Sequence, residues 1–296
     1  VYAGKDNRPA AYSEDNVPYK AEKWLDISLK GIEEGDFGMI MGFPGSTERY
    51  MTSSEIDYML EVDNPQRIYI RGERQKILRQ FMDADQAIRI KYDSKYAQSA
   101  NYWKNSIGMS RGIEKLNVRA KKAKQEAEFQ VWAEKNTLPE ERFVDALSLI
   151  ERSQTEARKE NATIQYLSEA FMQSVELVQT VLGVRDFEQF YKDYDATADR
   201  AVAKRMFQIY RANNELLPSI YAKIDSEFGG DSDKYVDWLY DNSKLTTYED
   251  FLAVASLSAE EQTAVFTNDP VTELATSIIN LYRELVPAVQ NTSALY

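Results

Sequence analysis

The spacing of apolar residues is the feature that most limits how this chain can fold. From about Thr52 onward, apolar side chains recur every three or four residues, which is the spacing of one face of an α-helix. Before Thr52 the pattern differs, and glycine and proline interrupt short segments. We therefore predict a mainly α, multi-helix chain that begins with a short β and turn segment.

The N-terminal segment contains several turn signals. Asp6-Asn7-Arg8-Pro9 and Asp15-Asn16-Val17-Pro18 each combine residues that favour turns. The run Gly35–Gly45 is predicted to form a turn, a buried strand and a second turn. This region resembles the edge of a β-domain rather than a complete one.

The first helices of the chain are marked by a cap and by apolar spacing. Ser54 is predicted to cap a helix that begins at Glu55. A second helix, interrupted only by Gly72, is predicted over Ile68–Met82. The second helix contains Ile70, Ile77, Leu78 and Phe81.

A long helical stretch follows over Asp85–Lys135. At 1.5 Å per residue it would be about 75 Å long, so we expect a break at Gly108 or Gly112. Pro139 then stands at a favourable first-turn position for the next helix. The later predicted helices are 139–150, 154–182, 186–194, 197–213, 217–227, 231–240, 247–255, 258–266 and 270–285.

Two residue types are missing from the chain, which contains no histidine and no cysteine. Their absence excludes a Ser-His-Asp triad, an HExxH zinc site, a disulfide and a thiolate nucleophile within these residues. A hydrolase mechanism of any of these kinds needs residues from elsewhere. We expect no cofactor and no metal.

The overall charge of the chain argues against a nucleic-acid partner. The net charge is −12, which repels a phosphate backbone, and the basic residues of Arg119–Lys124 lie beside Glu126 and Glu128 on a solvated helix face. No apolar run approaches the roughly 18 residues that a membrane span needs. We therefore expect neither nucleic-acid binding nor a membrane-spanning segment.

Two acidic clusters are better explained as helix caps than as ion sites. Asp193, Asp195 and Asp199 lack the spacing and the central glycine of an EF-hand loop, so Asp195 is predicted to cap the next helix. The run Gly229–Asp233 is predicted to end one helix and begin another.

Other candidate catalytic groups are weak. The adjacent pairs Glu33-Glu34 and Glu140-Glu141 could serve acid–base chemistry in a glycosidase, but such acids are usually solvated or complement a helix dipole. Ser110 stands in a GxSxG sequence, Gly108–Gly112, but the chain contains no histidine that could activate it. The sequence itself therefore supplies no complete catalytic group.

The region Ser94–Gly112 has two faces of different character. A packing stripe is predicted from Tyr92, Tyr96, Ser99, Trp103, Ile107 and Ser110. The opposite, small face consists of Ser94, Ala97, Asn101, Gly108 and Gly112. Because this face is small and carries one amide, another backbone or an extended ligand could approach it closely and be hydrogen-bonded by Asn101.

Two stretches of the chain carry recognisable motifs. The first comprises Val1–Asp6, Asp15–Tyr19, Glu34–Phe37 and Met41–Tyr50. The second comprises Lys95-Tyr96-Ala97, Asn101-Tyr102-Trp103-Lys104 and Gly108. Together they resemble the bacterial serine dipeptidyl-peptidases of the seven and eleven type. The similarity is strong over about residues 1–115, and beyond them only the helical character agrees.

The resemblance implies a chymotrypsin-like double β-barrel with a helical domain inserted between its halves and covering the cleft. Residues 1–46 would be the tail of the first barrel, and residues 47–296 the helical lid domain. In that family the catalytic aspartate precedes the equivalent of Val1, the histidine lies far upstream, and the serine follows the equivalent of Tyr296. The isolated chain is then expected to be inactive, and Asp36 to be a turn residue.

The resemblance also implies a substrate contact and a biological setting. Asn101 matches the asparagine that helps bind the free α-amino group of the substrate, a peptide from which a dipeptide is released. Family resemblance further implies a homodimeric parent in the periplasm or at the cell surface. The alternative is a non-catalytic helical module that binds proteins or solutes; an upstream histidine and a downstream serine motif would favour the peptidase.

Overall fold

The computed structural model of the chain describes residues 1–39, 41–43, 45–138 and 141–294. It divides into two compact units, Val1–Glu48 and Arg49–Tyr296. The assignment of residues 1–46 to a β-barrel and of 47–296 to a lid stays a prediction.

The first unit contains a short antiparallel pair of strands, β1 (Tyr2–Ala3) and β2 (Val17–Pro18), with Tyr2 opposite Pro18. Asn7, in the loop between them, is hydrogen-bonded to Lys20, which follows β2. Its side chain accepts a hydrogen bond from the Lys20 backbone N–H and donates one to the Lys20 carbonyl, each at 2.8 Å. Asn7 has a φ of 64°, a left-handed conformation that asparagine tolerates better than most residues.

The buried strand expected within Gly35–Gly45 is wrong for the residues that the structure describes. Met39 and Met41 are exposed, and neither belongs to a strand. A strand needs a neighbour that pairs with its N–H and C=O groups, and no described segment pairs with this one. Ile40 and Pro44 lie outside the described residues.

The second unit is built from helices, as the sequence predicts. Within its described residues the helices are α1 (Ser53–Tyr58), α2 (Asn64–Ala84), α3 (Gln86–Lys115), α4 (Val118–Asn136), α5 (Ala146–Glu156), α6 (Arg158–Leu167), α7 (Glu176–Leu182), α8 (Phe187–Lys192), α9 (Ala196–Asn213), α10 (Ile220–Glu227), α11 (Ser232–Asn242), α12 (Tyr248–Ala255), α13 (Ala259–Thr267) and α14 (Pro270–Ala294). A short 3₁₀ turn, Phe143–Asp145, precedes α5. Pro139 and its predicted first-turn role lie outside the described residues.

Of the predicted N-caps, Asp195 is confirmed. Its carboxylate accepts hydrogen bonds from two N–H groups at the start of α9. Ser258, which was not predicted as a cap, forms a reciprocal capping box at the start of α13. The first cap is misplaced by two residues, because Thr52 rather than Ser54 caps α1. Thr52 is the N-cap because Glu55, three residues later, completes a capping box with it.

The break in the long helical stretch lies later than expected. Gly108 and Gly112 are inside α3, which ends at Lys115. The chain turns at Asn117, whose φ of 50° is left-handed and ends the regular hydrogen bonding before Val118. The glycines therefore do not break the helix, and an asparagine does.

The helix predicted over residues 154–182 is divided into three pieces. The chain departs from helical geometry at Ala157 and again near Val175. Glu176 and Leu177, at the start of α7, donate their backbone N–H groups to the carboxylate of Asp199 on α9. A cap supplied by a distant helix cannot be read from the local sequence, which explains the error.

Two wide turns of π-helix are inserted in the helical unit. Met59–Asp63 joins α1 to α2, and Ser168–Met172 continues α6. In the second turn the Gln173 N–H reaches back five residues to the Ser168 carbonyl at 2.8 Å. Such turns are rare and often lie near functional sites.

The core of the helical unit is rich in aromatic residues. Phe171 packs edge-on against Phe207, with ring centroids 4.9 Å apart, and both are fully buried. The Tyr221 hydroxyl, also buried, donates to the Phe207 carbonyl at 2.9 Å. This packing joins the wide turn 168–172 to α9 and α10.

No helix in the described part of the chain is both long enough and apolar enough to cross a bilayer.

Candidate functional site

Helix α3 is held in place by its contacts with α2. The Trp103 indole N–H donates to the Ile68 carbonyl at 3.0 Å, and Tyr92 is fully buried. Gly72 lies inside α2 without interrupting it, and a Cβ at Gly72 would be only 3.3 Å from the Trp103 indole nitrogen. The predicted packing stripe is therefore confirmed, and it determines which face of α3 points away from α2.

The small face of α3 is open. Ser94, Ala97, Asn101 and Gly108 are exposed, and a Cβ built at Gly108 would meet no atom within 4 Å. The Asn101 amide makes no hydrogen bond within the described residues, so its carbonyl oxygen and its NH₂ group are free for a ligand. The predicted ligand role of Asn101 stays a prediction.

The residue beside Asn101 is anchored from α2. The Arg71 guanidinium lies 4.9 Å from the centre of the Tyr102 ring, and Arg71 also donates two hydrogen bonds to Glu169 at 2.7 and 3.1 Å. These contacts fix the turn of α3 that presents Asn101. A preorganised amide is better suited to orienting a ligand than a mobile one.

The other acidic candidates serve as structural residues. The Asp36 carboxylate accepts a hydrogen bond from the Glu33 N–H at 2.9 Å, which confirms that Asp36 is a turn residue. The Glu141 carboxylate accepts from the Leu138 N–H at 2.7 Å, and Glu140 lies outside the described residues. Within the described residues, the Asp36 and Glu141 carboxylates accept only these backbone hydrogen bonds.

The predicted helix junction within Gly229–Asp233 is confirmed. Gly229 and Gly230 have φ values of 65° and 79°, and the Asp231 carboxylate accepts two N–H groups of α11. Glycine is required here because its left-handed conformation has no Cβ penalty.

The buried environment of Asp199 was not predicted from the sequence. Its side chain is 1% exposed and accepts hydrogen bonds from the Glu176 and Leu177 N–H groups and, at 2.7 Å, from the Tyr240 hydroxyl. Burial, followed by the nearby Glu176 carboxylate, raises the pKa of Asp199 to about 7, although its hydrogen bonds lower it. The available signal was that Asp199 lies three residues before Val202, on the apolar face of α9.

Within the described ranges, no three acidic side chains come together in a way that would hold a metal ion.

Comparison with known proteins identifies the family. The Peptidase S46 profile matches residues 1–189 and 183–294. The chain belongs to the Peptidase S46 family. This result confirms the resemblance to dipeptidyl-peptidases drawn from the motifs.

Two kinds of curated relative are similar to the chain in sequence. Dipeptidyl-peptidase 7 of Porphyromonas gingivalis is 40% identical, with all of this chain aligned to 44% of that protein. An Asp/Glu-specific dipeptidyl-peptidase of Capnocytophaga gingivalis is 35% identical over 91% of this chain and 40% of its own length. The chain thus spans less than half the length of these S46 relatives.

Solved structures of the family show the same fold. The crystal structure of Porphyromonas endodontalis DPP11 in complex with the dipeptide Arg-Glu matches with a TM-score of 0.76 at 28% identity. The match covers 99% of this chain and 45% of the DPP11 chain. The mainly helical fold class predicted from the sequence is therefore confirmed.

Proposed function

We propose that the parent of this chain is an exopeptidase that releases dipeptides from the free N-terminus of peptides by a serine-protease mechanism. Family membership and the dipeptide bound to DPP11 support this activity. In the intact enzyme a histidine base would activate the serine, and backbone N–H groups would stabilise the oxyanion. The triad would lie outside this chain, which contains no histidine.

In this proposal residues 47–296 form the lid over the cleft, and Asn101 binds the substrate's α-ammonium group. The single observation that carries the proposal is the exposed Asn101 amide on an open helix face that can admit an extended peptide. An amide carbonyl accepts hydrogen bonds from an ammonium group, and the positive charge strengthens them. We further propose a homodimeric parent in the periplasm or at the cell surface, on the basis of the family resemblance.

The test is the substitution Asn101→Ala in the full-length enzyme. Loss of a charge-assisted hydrogen bond costs about 1.5–3 kcal/mol, so kcat/KM for free-amine dipeptidyl substrates should fall roughly ten- to a hundredfold. The melting temperature should not change, because the side chain is exposed and makes no hydrogen bond within the described residues.

Two controls sharpen this test. Asn105→Ala removes an asparagine that is equally exposed on α3, one turn away, and should leave kcat/KM within about twofold of wild type. Asn101→Asp keeps an acceptor for the ammonium group and should restore most of the activity lost in Asn101→Ala. Unchanged kinetics in Asn101→Ala would remove this residue from the site, and a parallel fall in melting temperature would make it a packing residue.

A further inference from the structure

A polar cleft of about 430 Å³ lies between α2, α3 and the segment from the wide turn 168–172 to α7. Its walls carry charged residues of both signs and three glutamine amides. Asn101 does not line this cleft, although its neighbour Tyr102 does. It has the size of a small-molecule site.

Two of the three cations in the cleft already have carboxylate partners. Arg71 pairs with Glu169 at 2.7 Å, and Lys95 pairs with Glu176. Lys95 also donates to the Asp193 carbonyl. These ion pairs fix that part of the wall, and Glu169 also accepts from Arg67 at 3.4 Å.

Arg74 is the third cation, and it has no such partner. It is 7% exposed, no carboxylate lies within 4.0 Å of its guanidinium among the described residues, and its Nε is buried without a hydrogen-bond acceptor. Burial lowers the pKa of Arg74, partly offset by the more distant Glu176 and Asp199. An unpaired buried guanidinium is costly, so its retention calls for an explanation.

A second hydrogen-bond donor in the cleft also lacks a partner. Ser99 is 3% exposed, and its hydroxyl has no hydrogen-bond partner within the described residues. It lies on α3 and lines the same cleft as Arg74, which lies on α2. A guanidinium and a hydroxyl lining one cleft make a suitable pair of donors for a carboxylate.

We propose that this cleft binds the C-terminal carboxylate of a short peptide, with Arg74 and Ser99 as its hydrogen-bond donors. Three cations against two carboxylates leave one positive charge in the cleft, which a single carboxylate neutralises and a phosphate dianion exceeds. The cleft is much larger than a carboxylate group. Gln98 and Gln173 line it with amides that are not hydrogen-bonded within the described residues, and amides match the donors and acceptors of peptide groups. The site does not depend on the proposed peptidase activity.

The test is calorimetric titration of the 296-residue chain with three probes: the dipeptide Ala-Ala, its C-terminal amide, and inorganic phosphate. Ala-Ala should bind saturably, and the amide at least about tenfold more weakly, because it lacks the charge that Arg74 recognises. Phosphate should bind more weakly than Ala-Ala. Equal affinity for the dipeptide and its amide, binding of phosphate alone, or no saturable binding of Ala-Ala would each overturn the proposal.

Matched variants locate the binding. Arg74→Gln should weaken Ala-Ala binding at least about tenfold, and Ser99→Ala about three- to tenfold. Arg79→Gln, which changes an exposed arginine of the same helix α2, should leave the affinity within about twofold. Circular dichroism checks the fold of each variant. If Arg74→Gln does not fold, Ser99→Ala decides, since it removes only an unpartnered hydroxyl; unchanged binding in that variant would refute the assignment.

Discussion

The buried carboxylate of Asp199 should make the stability of the protein depend on pH. Its pKa is raised from the ordinary value of 3.8 to about 7, so between these values the folded protein holds a proton that the unfolded chain releases. The contribution of the protonated Asp199 side chain to the free energy of unfolding is therefore complete below about pH 4 and is lost as the pH rises towards 7. At 1.36 kcal/mol per pH unit, it amounts to at most about 4 kcal/mol.

The substitution Asp199→Asn isolates this contribution, because asparagine has nearly the same shape and does not titrate. The melting temperature of wild type relative to Asp199→Asn should be highest near pH 4–5 and should decline towards pH 8. For a protein of this size the decline should be at most on the order of 10 °C. Thermal unfolding followed by circular dichroism across this pH range measures it.

Two comparisons make the result decisive. Asp93→Asn changes an exposed acid on α3 and should show no such pH-dependent difference. Tyr240→Phe removes the hydroxyl that donates to Asp199 at 2.7 Å, and it should destabilise the fold by about 1–3 kcal/mol, more at pH 8 where the carboxylate is charged. A wild-type advantage over Asp199→Asn that grows with pH would mean that the three hydrogen bonds outweigh burial, and the reasoning would be refuted.

Further predictions concern the turn at Asn117 and the missing base. Asn117→Val should lower the free energy of unfolding by about 1–2 kcal/mol, because a β-branched residue resists the left-handed conformation. Asn117→Gly should stay within about 1 kcal/mol of wild type. Urea unfolding measures both variants, and equal losses would contradict this prediction. The 296-residue chain should not hydrolyse fluorogenic dipeptidyl substrates because it contains no histidine base; hydrolysis that persists through purification would contradict the assignment of the triad outside the chain.

Local signals in the sequence were sufficient for much of the helical unit. The N-cap Asp195 and the glycine junction at Gly229 act through residues within a few positions of one another, so their patterns are complete in the sequence. The stripe containing Tyr92 and Trp103 was likewise visible, because helical spacing alone places its members on one face.

Features that depend on distant partners were not predictable. The start of α7 depends on a carboxylate from α9, more than twenty residues away, and the strand expected near Met39 depends on pairing that the local pattern does not guarantee. Asn101 could be assigned to an open helix face from the sequence. The lack of hydrogen-bond partners at Arg74 and Ser99 could not be predicted, because it arises only when α2 and α3 are packed together. Tertiary contacts, rather than propensity, decide these cases.

The wide turns 59–63 and 168–172 have a consequence for how related chains differ in length. A turn closed by a hydrogen bond from residue i+5 to residue i contains one residue more than an α-helical turn. In the turn 168–172, the Ser174 hydroxyl donates a further hydrogen bond to the Glu169 carbonyl at 2.6 Å. A homologue that lacks such a turn would be one residue shorter there while its helices kept the same inward faces. Single-residue gaps inside helices, normally a sign of misalignment, are therefore expected at these two places.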